Sequence, residues 1–158
     1  MKKQNWLFIA LLISFLTSVL TAQSFQDAGF RLPYTMSALN SRTAHIPAKN
    51  CIYIFGGYAN NVWSNRVVKI DLNSASSYEI TEVMPVGGDV AKVGYNSDDG
   101  LVYLFAGKDV YYFNPATEKF TKKATGILQE TVHDYVTLTY GSTEKAFYIF
   151  GNRGSARG

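Results

Sequence analysis

An all-β fold is predicted by three features of this 158-residue chain. The first is a repeat. The run Cys51-Ile52-Tyr53-Ile54-Phe55-Gly56-Gly57 returns fifty positions later as Leu101-Val102-Tyr103-Leu104-Phe105-Ala106-Gly107, and forty-five after that as Ala146-Phe147-Tyr148-Ile149-Phe150-Gly151-Asn152. Each copy has Tyr third and Phe fifth and closes on small or turn-forming residues, and a period of about 45–50 residues built on short strands marks a repeat architecture. The second is the pattern within the run, which is apolar at every position and too short for a helix, as in a strand buried on both faces. The third is that no amphipathic helical period follows residue 24, while Gly, Asn and Asp punctuate the chain and 11 Tyr and 10 Phe supply its bulk. The expectation is about two and a half four-stranded units.

Taken in order, residues 1–22 read as a secretory signal peptide: Lys2 and Lys3 precede an apolar core from Trp6 to Leu20, and small residues surround Thr21-Ala22. A retained membrane anchor is the competing reading, although spanning a bilayer takes about 20 apolar residues. Residues 23–40 hold one short strand, 25–32, and a turn. The first unit covers 41–88: strands at 42–46, 51–55, 65–71 and 78–83, with Pro47-Ala48-Lys49-Asn50 as a hairpin turn and residues 58–64 as a loop. The second covers 89–130, with strands at 90–95, 101–105, 109–114 and 118–122 and a strong turn signal in Asn96-Ser97-Asp98-Asp99-Gly100. A partial third unit, 131–158, supplies strands at 133–140 and 146–150.

Removing Lys2 and Lys3 with the leader lowers the formal charge from +3 to about +1. That is too near neutral to indicate nucleic acid or an anionic membrane surface as a partner. The chain is expected to be secreted and extracellular, or periplasmic in a bacterium, with no membrane contact after cleavage. Cys51 is the single cysteine, so no internal disulfide forms. At the head of an apolar strand it reads as a buried small hydrophobe, with a reactive thiol or an intermolecular link as the alternatives. No Asn-x-Ser/Thr acceptor occurs.

These residues resemble the kelch repeat, the unit of a family of β-propellers. Arg42 and His45 lead into Ile52-Tyr53-Ile54-Phe55-Gly56-Gly57; Ile70-Asp71-Leu72 and, more closely, Phe113-Asn114-Pro115 match the third strand; Phe120 and Tyr78 stand for the last-strand aromatic. Departures are Ala106-Gly107 and Gly151-Asn152 in place of the glycine pair, Tyr95 and Tyr140 where the first unit has His45, and fourth strands without Trp. The structural motif positions are Tyr53, Phe55, Gly56, Gly57, Tyr103, Phe105, Gly107, Tyr148, Phe150 and Gly151. The resemblance implies kelch-type blades in an incomplete ring, because closed propellers have roughly four to eight blades. It also implies that the strand at 25–32 belongs to a shared closing blade. A bare blade face leaves large apolar side chains in water, each worth about 1.5–3 kcal/mol when buried. The chain is therefore expected to be the front part of a longer propeller; self-association through exposed blade faces is the rival.

Candidates for chemistry are few. His45 and His133 occupy non-equivalent repeat positions, and His133-Asp134 neighbours point to opposite faces of a strand. A metal site needs three or four converging ligands, and the sequence holds no His/Cys cluster. Asp98-Asp99-Gly100 reads as a hairpin turn and lacks the spaced oxygens of a calcium loop. No nucleophile elbow, zinc-protease motif or P-loop is present, so catalytic residues, metal ligands and cofactors are all expected to be none. The candidate binding loop holds Tyr58, Asn60, Asn61 and Trp63, side chains suited to a protein or glycan surface; Trp63 packing onto its own blade is the alternative. The reading is a non-enzymatic binding scaffold for a protein or glycan. The runner-up is part of a carbohydrate-acting enzyme of the sialic-acid mutarotase or oxidase kind; a truncated product without function is the third.

Overall fold

The computed structural model describes residues 29, 31–33, 42–59, 62–87, 91–126 and 136–151. Among them there are ten strands, one 3-10 turn and no α-helix. Sheet I is a four-stranded antiparallel meander of β1 (Arg42–Ile46), β2 (Cys51–Ala59), β3 (Val62–Asp71) and β4 (Ser76–Glu79). Sheet II repeats it with β5 (Ala91–Asn96), β6 (Leu101–Ala106), β7 (Asp109–Asn114) and β8 (Lys119–Ala124). Sheet III is the antiparallel pair β9 (Val136–Gly141) and β10 (Ala146–Gly151). The residues expected to form the leader, 1–22, and His133 lie outside the described residues. Of the expected strand at 25–32, Gly29, Arg31 and Leu32 are described and are not in a strand; the Arg31 carbonyl accepts a hydrogen bond from the Ser77 hydroxyl on β4. No helix among the described residues is long and apolar enough to cross a membrane.

Strand alternation decides how the sheets meet. Successive side chains of a strand point to opposite faces, so Cys51, Tyr53 and Phe55 of β2 face sheet II while Ile52 and Ile54 face away, beside Val68 and Ile70. On β6, Val102, Leu104 and Ala106 turn back to sheet I, while Tyr103 and Phe105 face Val136, Leu138 and Phe147 of sheet III. Sheet II thus has an apolar layer on each face, and Ile52, Ile54, Val68 and Ile70 form a third apolar cluster on the outer face of sheet I. In the first, Tyr53 and Phe55 meet the Phe113 ring edge-on at 5.0 and 5.4 Å, and Phe120 closes in at 5.0 Å from Phe113. In the second, Phe147 sits 5.0 Å from Tyr103 and 5.2 Å from Phe105. Gly94 makes the second layer possible: a Cβ there would lie 2.7 Å from the Phe147 ring and 2.9 Å from Leu138.

Carboxylates and lysines fasten sheet II to sheet I around these layers. Glu118, in the β7–β8 turn, accepts a hydrogen bond from the Tyr53 hydroxyl at 2.9 Å and pairs with Lys69 at 3.2 Å. Lys49 donates to the Pro115 carbonyl at 2.8 Å. Glu82 holds Lys119 at 2.8 Å and accepts the Phe120 N–H. Burial and the Glu118 hydrogen bond raise the Tyr53 phenol above the ordinary tyrosine range, so the hydroxyl stays a donor.

Turn chemistry places the strands. Five hairpin turns end on a residue in the left-handed region: Asn50 (φ 47), Ala75 (φ 49), Gly100 (φ 73), Glu118 (φ 53) and Lys145 (φ 54). A side-chain oxygen at the strand end shapes three of them. Asp71 accepts the N–H groups of Asn73 and Ser74, Asn96 that of Asp98, and Asn114 that of Ala116; such Asx turns let the side chain stand in for the backbone. Three strands of the first unit have limits that differ from expectation. The fourth strand of the first unit is at Ser76–Glu79 and not at 78–83, because the Asp71 turn starts it early and regular pairing with β3 ends at Glu79, beyond which Ile80 and Met84 bury in the first layer with their N–H groups on the Val67 and Asn65 carbonyls. β2 and β3 are longer than expected, and their pairing extends past the residues paired with β1 and β4.

The layer arrangement makes equal residues unequal. Phe55 is fully buried and Phe150, at the same repeat position, is 56% exposed. Phe55→Ala should therefore cost about 3–5 kcal/mol, and Phe150→Ala no more than about 0.5 kcal/mol, read from denaturant unfolding of both variants; equal costs would contradict the arrangement. The turns carry a pH signature. Asp71 is held below the usual carboxylate range by the Asn73 and Ser74 N–H groups, Glu82 by Lys119, and Asp109 by Lys122. Each is more acidic folded than unfolded, so its stabilisation is complete above a pH of roughly 4 and is lost as pH falls through the folded value. Asp71→Asn keeps the acceptor and removes the titration, and should flatten the fall of melting temperature between neutral pH and acid; an unchanged slope would show that Asp71 contributes nothing to it.

Candidate functional site

The expected loop at 58–64 is a continuation of the sheet. β2 and β3 stay paired to Ala59↔Val62, so the two strands form one long hairpin projecting past the four-stranded part of sheet I. Tyr58-Ala59-Asn60-Asn61-Val62-Trp63-Ser64 lacks the strict alternation that would mark a strand, and the pairing is made by the backbone, so sequence reasoning misses it. A bulge marks where the projection begins: the register shifts between Phe55 and Gly57, with Gly56 and Gly57 at φ 67 and 120. Those angles suit glycine and would strain any side chain. Bulges bend a strand and re-aim the residues beyond the bend, so Gly56-Gly57 steers the hairpin end.

Two aromatics meet on this projection. Tyr58 and Trp63 are directly opposite in register, and their rings lie 4.9 Å apart, edge to face. Trp63 is 39% exposed and its neighbour Val62 65% exposed. Trp63 thus packs on Tyr58 and still presents surface to solvent. Ser64 accepts the Arg66 N–H and closes the base of the feature. Asn60 and Asn61 lie outside the described residues. The second unit has no counterpart: β6 and β7 turn directly through Gly107 (φ 59), with Ala106↔Asp109 the last pair. The aromatic projection is therefore a feature of the first unit that the second does not share.

The other candidate groups are otherwise engaged or apart. Cys51 is buried at the head of β2, and burial pushes its thiol above the ordinary cysteine range, away from the thiolate a nucleophile needs. His45 is exposed on β1, on the face opposite Ala44. In the β5–β6 turn, Asp99 accepts the Leu101 N–H and, at 2.8 Å, the Tyr103 hydroxyl, and Asp98 bonds the Tyr140 hydroxyl of sheet III. Burial and Asp99 push the Tyr103 phenol up to about 12. These carboxylates shape a turn and brace two sheets. Among the described residues no group of three or more His, Cys, Asp or Glu is placed to hold a metal ion. No protein-family model matches the chain, and no curated protein is detectably similar to it.

Proposed function

We propose that the chain is a secreted scaffold of kelch-type β-propeller blades that binds a protein or glycan ligand through the β2–β3 hairpin and performs no reaction. The observation that carries this reading is the Tyr58–Trp63 pair, held 4.9 Å apart on a projecting hairpin and open to solvent. Aromatic rings fixed on a paired backbone bring large contact area at little cost in conformational entropy, and Trp and Tyr dominate the energetics of recognition surfaces. The flat faces of such rings also suit the apolar face of a sugar. The blade reading draws support from the successive stacking of sheets I, II and III, whose first strands stand in a row, β1 beside β5 and β5 beside β9.

Trp63 is the single tryptophan after residue 22, so its fluorescence reports on the site without labelling. Titration against a glycan panel and against fractionated secreted proteins should reveal a ligand that shifts the Trp63 emission. Trp63→Ala should weaken that ligand about ten-fold or more. Turnover of a sugar by the purified chain would defeat the scaffold reading, and ligand affinity indifferent to Trp63→Ala would remove the hairpin from it.

A further inference from the structure

β8 is the outer strand of sheet II: it pairs with β7 on one side, and among the described residues no strand pairs with it on the other. A free edge of this kind is a row of backbone donors and acceptors on which another strand can add. β8 runs for six residues, and Lys119, Thr121, Lys122 and Lys123 are exposed along it. Its register with β7 passes from Val110↔Ala124 to Tyr111↔Lys122, so Lys123 is the extra residue of a bulge. Sheet I manages its own outer edge by other means. There β4 is only four residues long, and its Ser77 hydroxyl is bonded to the Arg31 carbonyl.

Lys122 and Lys123 stand on the two faces of this edge. Lys122 lies 5.4 Å from the centre of the Tyr111 ring, which packs on the layer toward sheet I, and it meets Asp109 at 2.8 Å. Lys123 lies 5.7 Å from Tyr103 and 6.0 Å from Tyr112, on the side where Tyr103 packs toward sheet III. A strand adding to β8 would strip water from both ammonium groups, and burying a charge is costly unless it is paired. A second copy of the chain offers no relief. In a two-fold antiparallel pairing of β8 with itself centred on Thr121, Lys119 of one copy stands opposite Lys123 of the other, and like charges directly opposite are destabilising.

We propose that Lys122, Lys123 and the bulge between them and β7 guard the outer edge of sheet II, preventing β8 of one copy from pairing with β8 of another. The bulge bends the edge away from the line a straight partner strand needs, and the two ammonium groups penalise any strand that still approaches. The lysines contribute little to the fold itself, because exposed ion pairs such as Lys122–Asp109 stabilise weakly. Their removal therefore bears on association more than on folding. The guard is separate from the β2–β3 hairpin, so either can fail while the other stands.

The test is the full chain carrying Lys122→Thr and Lys123→Thr, which removes both charges and leaves polar side chains that favour strands. Light scattering after gel filtration should show a shift to higher mass than the unchanged chain at the same concentration. Hydrogen exchange should slow at Lys119–Ala124 in the associated species. Lys122→Arg with Lys123→Arg keeps the charges and should leave the mass distribution as it is. Lys123→Thr alone keeps the Lys122–Asp109 pair and should give a smaller shift in the same direction; it decides the matter if the double variant does not fold. A mass distribution unchanged by the threonine substitutions, equal association of the arginine variant, or protection that spares β8 overturns the proposal.

Discussion

Everything in this fold depends on one constraint: a strand that is apolar on both faces has to be covered twice. β2 meets it by sending Tyr53 and Phe55 forward onto Phe113, while on its other face Ile52 and Ile54 lie in a buried patch beside their same-sheet neighbours Ile70 and Val68. β6 meets it the same way, with Val102 and Leu104 behind and Tyr103 and Phe105 ahead. The repeat is therefore a packing rule as much as a sequence pattern, since each unit's Tyr and Phe are the cover its successor needs. In β10 the backward half of the rule is met through Phe147, and the forward half, Tyr148 and Phe150, stays exposed, with the two rings stacked on each other at 6.2 Å.

Polar contacts then fix the freedom that the apolar layers leave. Flat aromatic layers permit sliding, and Glu118 bridging to Tyr53 and Lys69, with Lys49 on the Pro115 carbonyl, sets one register between sheets I and II. Between sheets II and III, Asp98 and the close approach at Gly94 do the same. The hairpin end at Tyr58 and Trp63 is excused from this packing by the bulge at Gly56-Gly57. An aromatic pair outside the buried clusters is the physical ground for the proposal that a ligand is met there.

The meander order of β1 to β10 and the double burial of β2 and β6 are legible in the sequence because each rests on local signals: an apolar run, a turn residue, an Asx oxygen at a strand end. Cys51 as a buried hydrophobe is legible for the same reason. The hairpin projection is not, because a backbone that stays paired past a bulge leaves little trace in side-chain periodicity; the glycine pair is its one signal. The strand expected at 25–32 is not one at Gly29, Arg31 and Leu32, and β10 carries the same apolar run with its Tyr148, Ile149 and Phe150 exposed. The extent of β4 is misleading because Ile80 looks like a strand residue and serves as a core plug. The Lys69–Glu118 bridge joins residues forty-nine positions apart, and no local pattern announces such a pairing. Tyr103, Phe105, Tyr148 and Phe150 share one motif, but their different burial depends on which sheet comes next and not on the motif.

The most direct test of this account is residue-resolved hydrogen exchange on the full chain. Exchange slows where opening requires breaking a covered layer and quickens where it does not. The account predicts strong and similar protection at β2 and β6, covered on both faces and paired on both edges, and much faster exchange along β10. Protection of β10 equal to that of β2 and β6 in the isolated chain would contradict it, because the forward face of Tyr148 and Phe150 would then already be covered.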